Sequence, residues 1–188
     1  MTWILKEERI FCYEEAKKRG EVDEDIIYLL DLINSFDSYV TLSSCSGRIA
    51  VLEIPEIGNK KSAKFLGKWH RAVELGEVKD AAIKCRELAW FIQYPPILHI
   101  ACKTLEDAYK LAKIANDAGF RRCGLISFKN FVLEVCSWER IELPVAENGK
   151  MILDDLYLSK VIEIANFKLE KGKSRLKKFY EILCCLKT

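Results

Sequence analysis

Residues 40–52 read VTLSSCSGRIAVL, two short apolar runs that flank Ser43-Ser44-Cys45-Ser46-Gly47-Arg48. The apolar flanks are rich in Val, Ile and Leu, so the stretch Tyr39–Ile54 reads as a strand pair. A plain hairpin would close on Asn-Gly or Asp-Gly. Three hydroxyls, a thiol, one glycine and an arginine stand there instead. Small side chains leave backbone N–H groups accessible to a ligand, and an arginine fork suits a carboxylate or a phosphate. The bend can therefore seat the charged end of a cofactor, or it can be a tight turn with Gly47 at positive φ. Residue types alone leave both readings open.

Outward from that bend, helical spacing predicts a helix over Ile4–Arg19, ended by Gly20, and a second apolar helix that reaches Ser35, with Asp23 as its N-cap. Downstream, Phe65–Glu74 reads as a strand and Glu77–Ala89 as a helix. Pro95-Pro96 resets the chain before the strand ILHIAC. Thr104 caps a helix that runs to Ala118 and stops at Gly119. CGLISF and FVLEVCS read as a hairpin joined near Lys129-Asn130, and Asn148-Gly149 as a turn. Two helices, Leu153–Glu170 and Ser174–Leu186, close the chain with Gly172 between them. The expected class is α+β, with a mixed central β-sheet and a weak internal duplication. Residues 1–188 are expected to form a single domain with helical ends over about 1–36 and 153–188. The glycines include neither G-x-G-x-x-G nor the P-loop pattern, which excludes a Rossmann-type nucleotide fingerprint.

The chain has 188 residues, half of them apolar and 31% charged, long enough to bury a core without metal or disulfide support. Its eight cysteines include no C-x-x-C pair, so neither a zinc site nor a disulfide framework is expected. No apolar run approaches the ~18 residues of a membrane span, and no secretory leader is apparent; the expected compartment is the cytoplasm. Net charge is only +2, but its distribution is uneven. Residues 59–71 (NKKSAKFLGKWHR) carry five bases and no acid, and residues 168–178 carry six bases and one acid. Such segments suit an anionic partner such as RNA, or are solvated surfaces.

Few residues here can move a proton near neutral pH. The chain has two histidines. His70 stands in Trp69-His70-Arg71, a set that can stack a base, hold a phosphate and transfer a proton. His99 lies within the strand ILHIAC, where a hydrogen-bonded structural role is the plain alternative. Arg121-Arg122 follow a helix end as a solvated turn or a second anion contact.

Taken in order, RGEVDED (19–25), SSCSGRI (43–49), WH (69–70), LHIAC (98–102), DAGFR (117–121), ELPV (142–145) and ANFKLE (165–170) resemble the wybutosine-synthesising tRNA methyltransferases of archaea and eukaryotes. The resemblance runs from about residue 12 to residue 180. It implies a non-Rossmann α+β fold and S-adenosylmethionine as methyl donor. The implied acceptor is N4 of the demethylated wybutosine precursor at position 37 of phenylalanine tRNA, so the partner is that tRNA's anticodon loop. No membrane and no obligate protein partner are implied. On this resemblance Ser43, Ser44, Ser46, Gly47, Arg48 and Trp69 are expected to hold the cofactor, with Arg48 on its carboxylate. His70 or His99 would remove the acceptor's proton. Lys60, Lys61, Lys64, Lys68, Arg71 and Arg121 would meet the tRNA. One departure is Tyr94, which stands before Pro95 where an acid is often found. The alternatives are a non-catalytic tRNA- or nucleotide-binding protein and a paralogue that acts on another wyosine intermediate.

Overall fold

The bend after Cys45 carries the chain from one sheet into another and closes no hairpin. In the computed structural model, which describes residues 3–54 and 63–186, the strand before the bend (β1, Tyr39–Cys45) pairs with β5, Ile97–Cys102. The strand after it (β2, Arg48–Glu53) pairs with β3 (Lys64–Trp69) and β4 (Leu88–Tyr94). The remaining strands are β6 (Arg122–Ser127), β7 (Val132–Cys136), β8 (Ile141–Glu147) and β9 (Lys150–Met151). One sheet has the order β1-β5-β7-β6 and the other β3-β2-β4-β8-β9. Every pairing among the described residues is antiparallel. The class is α+β, as expected, but the mixed central sheet is replaced by two antiparallel ones.

The chain divides into two units. Unit 1 takes Met1–Ser46, Pro96–Trp138 and Gly172–Thr188, and unit 2 takes Gly47–Pro95 and Glu139–Lys171. The anticipated duplication does not form as a repeat, as the runs β2-β3-helix-β4 and β5-helix-β6-β7 make plain. Their strand orders, β3-β2-β4 and β5-β7-β6, run in opposite chain direction and do not repeat.

In unit 1, helices α1 (Ile4–Lys18), α2 (Ile27–Asn34) and α4 (Leu105–Asp117) accompany the β1-β5-β7-β6 sheet. Alternation in β5 sends Leu98, Ile100 and Cys102 into a core with Leu29, Leu111, Phe120 and Phe179. Burying one such side chain stabilises the fold by roughly 1.5–3 kcal/mol. The other face carries Val40, Ala101 and Val132 under Leu5 and Ile10 of α1. Thr104 caps α4 as expected, its Oγ1 accepting from the Asp107 N–H at 3.1 Å, and Gly119 follows the helix at φ +103°.

In unit 2, Ile49, Val51, Ala89 and Phe91 face helix α3 (Leu75–Ala82) and the first part of α5 (Asp155–Cys185), among Val78, Leu158 and Leu169. The expected helix over Glu77–Ala89 is thus shorter, and Leu88–Tyr94 forms a central strand. Its Trp, Phe and Ile suit a pleated surface better than a helix. The strand expected to reach Glu74 ends at Trp69. The two closing helices are one, 31 residues long. Gly172 does not break it. A Cβ there would lie 2.6 Å from Pro96 Cδ, so the glycine admits the proline ring against the helix.

Among the described residues, no helix is long and apolar enough to cross a membrane.

Candidate functional site

Unit 1 aligns three polar side chains across one row of its sheet. Ser43 on β1 pairs in register with His99 on β5, and His99 with Glu134 on β7. The Ser43 hydroxyl lies 2.8 Å from His99 Nδ1, and His99 Nε2 lies 3.2 Å from Glu134 Oε2. In the neutral imidazole a carboxylate acceptor assigns the ring proton to Nε2, and Nδ1 then accepts from the Ser43 hydroxyl. The other Glu134 oxygen, Oε1, faces Arg122 Nε at 3.7 Å. The imidazole is thereby fixed in one tautomer, with its basic nitrogen toward a hydroxyl. This is the arrangement of a general base whose orientation comes from a carboxylate.

A β-bulge makes the row possible. The register shifts between Thr41 and Ser43. Thr41 turns inward, where its N–H donates to Asn34 Oδ1 at 2.8 Å. Strict alternation would place Ser43 on that same inner face. One extra residue re-aims it to the face of His99 and Ala101. Between α1 and β1 lies a cavity of about 340 Å³ walled by Arg9, Cys12, Thr41, Ser43 and Ser44.

The end of the bend is held from within unit 1. The Ser46 N–H donates to Asp23 Oδ2 at 2.9 Å, and Ser46 is fully buried. Asp23 was expected to cap a helix through its side chain. It makes no such cap bond and braces the bend instead. The Ser46 N–H is therefore committed to protein. Gly47 takes φ +93°, the left-handed turn that the plain reading of the bend required.

Unit 2 shows a different chemistry. Arg48 and Tyr94 are directly paired across β2 and β4. The Arg48 guanidinium lies 5.6 Å from the Tyr94 ring centroid and 5.8 Å from that of Phe65. Arg140 covers Tyr94 at 4.7 Å. Arg48 Nε is buried without a hydrogen-bond partner among the described residues. Tyr94 thus serves as a ring platform for two cations, and the carboxylate that faces His99 is Glu134.

Trp69 pairs with Ile49, and its ring lies back over Gly67, where a Cβ would sit 2.2 Å from the indole. It packs half-buried against the unit 2 core. His70 follows it, half-buried at the end of β3. Arg71 forks onto Glu77 at 3.1 and 2.6 Å. That hydrogen bond, together with the Glu74 N–H, holds the Glu77 carboxyl down at about 2. Lys64 and Lys68 are exposed on β3, and Arg121 is exposed before β6. Lys60 and Lys61 lie outside the described residues.

Glu134 escaped the sequence reading. The one signal for it is an acid inside the apolar strand FVLEVC. Its meaning depends on the pairing of β5 with β7, which no local pattern discloses. Cysteine chemistry has little support: burial pushes the Cys102 thiol up to about 12 and Cys123 up to about 11, and Cys45 is buried.

Comparisons with known proteins bear on what such an arrangement does. Residues 4–184 match the family described as Methyltransferase TYW3. A protein of Archaeoglobus fulgidus, named tRNA(Phe) 7-((3-amino-3-carboxypropyl)-4-demethylwyosine(37)-N(4))-methyltransferase, is 57% identical over 97% of this chain and 94% of its own length. A Pyrococcus furiosus protein of the same name, numbered 1, is 47% identical over 92% of this chain and 90% of its own. The solved structure of the PH1069 protein from Pyrococcus horikoshii superposes with a TM-score of 0.91 at 45% identity, over 95% of this chain and 94% of that one.

Proposed function

The chain belongs to the Methyltransferase TYW3 family, and from that premise we propose that it methylates a demethylated wyosine-type base of phenylalanine tRNA. The acceptor is N4 of the base at position 37, which carries a 3-amino-3-carboxypropyl side chain in the names of the relatives. The observation that carries the reading is the Ser43–His99–Glu134 row, a base held ready for a nitrogen that must lose its proton.

In this reading Ser43 acts as a relay, because a hydroxyl both donates and accepts. The acceptor N–H proton passes to Ser43 Oγ while the Ser43 proton passes to His99 Nδ1. Glu134 stabilises the imidazolium that results, as its Oε2 faces Nε2 at 3.2 Å. General-base assistance of this kind contributes roughly 10²–10⁴-fold in rate. In this reading His99, held between a hydroxyl and a carboxylate, is the catalytic histidine in preference to His70.

The methyl donor is S-adenosylmethionine, which supplies an electrophilic methyl group on a positively charged sulfur when bound. Of the residues expected to hold it, Ser43, Ser44, Ser46, Gly47, Arg48 and Trp69, support is uneven, and Ser46, fully buried with its N–H on Asp23, has least. Arg48 fits the donor's carboxylate best: its buried Nε lacks a partner among the described residues, and Phe65 and Tyr94 flank its guanidinium. Exposed Lys64 and Lys68 on unit 2 and exposed Arg121 on unit 1 each offer positive charge to the tRNA anticodon loop. Arg71 is already paired with Glu77 and contributes least.

The test is transfer of a labelled methyl group from S-adenosylmethionine to phenylalanine tRNA that bears the demethylated base. Incorporation at N4 is expected, and none into tRNA with unmodified guanosine at position 37. Binding of that tRNA without transfer would instead identify a non-catalytic RNA-binding protein. Transfer only to a different intermediate would identify a paralogue.

A further inference from the structure

Beside Glu134, on the strand at the sheet's edge, stands a glycine that the fold does not require. Gly124 pairs in register with Glu134, and so extends the Ser43–His99–Glu134 row by one position. Gly67 and Gly172 admit a neighbouring ring, and Gly119 and Gly149 take positive φ. Gly124 does neither: its φ lies outside the left-handed region, and an added Cβ would meet nothing within 4 Å. Glycine is a poor strand residue, and one within a strand can mark a place where a ligand approaches the backbone closely. Two positions along the same strand, and on the same face, is Arg122. Its guanidinium lies 5.5 Å from the Trp138 ring centroid. The Trp138 residue is 71% exposed, and the Arg122 side chain 53% exposed. A flat floor, a wide aromatic wall and a fork of N–H donors thus stand beside the catalytic row.

We infer that this patch seats the acceptor base, resting on the function proposed above: the tricyclic ring lies over Gly124 against Trp138, and Arg122 pairs with the carboxylate of its 3-amino-3-carboxypropyl side chain. The occupant follows from charge and shape. A planar ring stacks on an indole, and a carboxylate is the anion that a guanidinium grips with two parallel bonds. Arg122 is then a specificity-determining residue, since a base without the side chain leaves its guanidinium only the Glu134 carboxylate at 3.7 Å.

The experiment measures KM and kcat for methylation, and Kd for binding, with two phenylalanine tRNAs. One carries the full base, and the other the same tricycle without the aminocarboxypropyl group. Wild type is expected to bind the full base at least about tenfold more tightly. Arg122→Met keeps the stem and should reduce that preference to within about threefold, with the loss on KM more than on kcat. Gly124→Val should weaken both tRNAs without lowering Tm, because its side chain enters open space and suits a strand. An unchanged preference in Arg122→Met, or normal KM in Gly124→Val, would overturn this inference while leaving the proposed function in place. Wild type that methylates neither tRNA would overturn both.

Discussion

The outer face of the unit 1 sheet and the Arg48–Tyr94 face of the unit 2 sheet are built from the same antiparallel pairing, yet they hold opposite kinds of chemistry. On unit 1 the cross-strand row is Ser43–His99–Glu134, a hydroxyl, an imidazole and a carboxylate within 2.8 and 3.2 Å of one another. Each member can gain or lose a proton or pass one on. On unit 2 the pair is Arg48–Tyr94, with Arg140 and Phe65 beside it. A guanidinium keeps its charge far above neutral pH, so Arg48 can grip an anion but cannot work as a base. The difference teaches that sheet register alone can separate chemistry from recognition: one row can relay a proton and the other presents a guanidinium to an anion.

The comparison breaks most readily at His99. His99→Ala should lower kcat by about 100-fold or more, the usual share of a general base, and leave tRNA affinity intact. A variant that loses tRNA binding together with rate would reassign the row to recognition. The next largest effect falls on unit 2. Arg48→Ala should weaken S-adenosylmethionine by about tenfold or more, and Arg48→Lys should not restore it, because a lysine offers no planar fork. Full rescue by lysine would reduce Arg48 to a point charge.

Smaller effects sharpen the picture at the rim. Lys68→Ala should lower the slope of log affinity for tRNA against log salt by about 0.7–0.9, the value of one lost phosphate contact. An unchanged slope would remove Lys68 from the tRNA face. The smallest effect concerns Arg71 and Glu77. The Glu77 carboxyl is held at about 2 in the folded chain against an ordinary 4.5. Its stabilisation is therefore complete above about pH 5 and is lost as the pH falls toward 2. Thermal melts of wild type and Glu77→Gln should differ at pH 6 and converge near pH 2. A constant difference would show that the Arg71 fork does not depend on that charge.

Much of this fold is written locally. The Thr104 cap, the stop at Gly119, the hairpin of β6 and β7 and the Asn148-Gly149 turn each rest on neighbouring residues, and each forms where the residues place it. What escaped is long-range. VTLSSCSGRIAVL reads as a pair of strands because nothing within it says that β1 has its partner more than 50 residues later, in Ile97–Cys102. Gly172 reads as a helix stop because Pro96 is invisible from residue 172. The bulge after Thr41, and so the face on which Ser43 stands, exists only through pairing with β5. For the same reason His99 and Ser43 were legible as candidates, while Glu134, which orients the imidazole, was not.

The most direct measurement takes the two faces together: donor Kd by calorimetry and single-turnover methyl transfer at saturating donor, in His99→Ala and Arg48→Ala side by side. A division of labour predicts crossed outcomes. His99→Ala should keep donor affinity within about twofold and lose at least about 100-fold in rate. Arg48→Ala should bind the donor about tenfold or more weakly and recover most of the rate once saturated. The account is contradicted if His99→Ala transfers at wild-type rate, or if Arg48→Ala binds the donor normally.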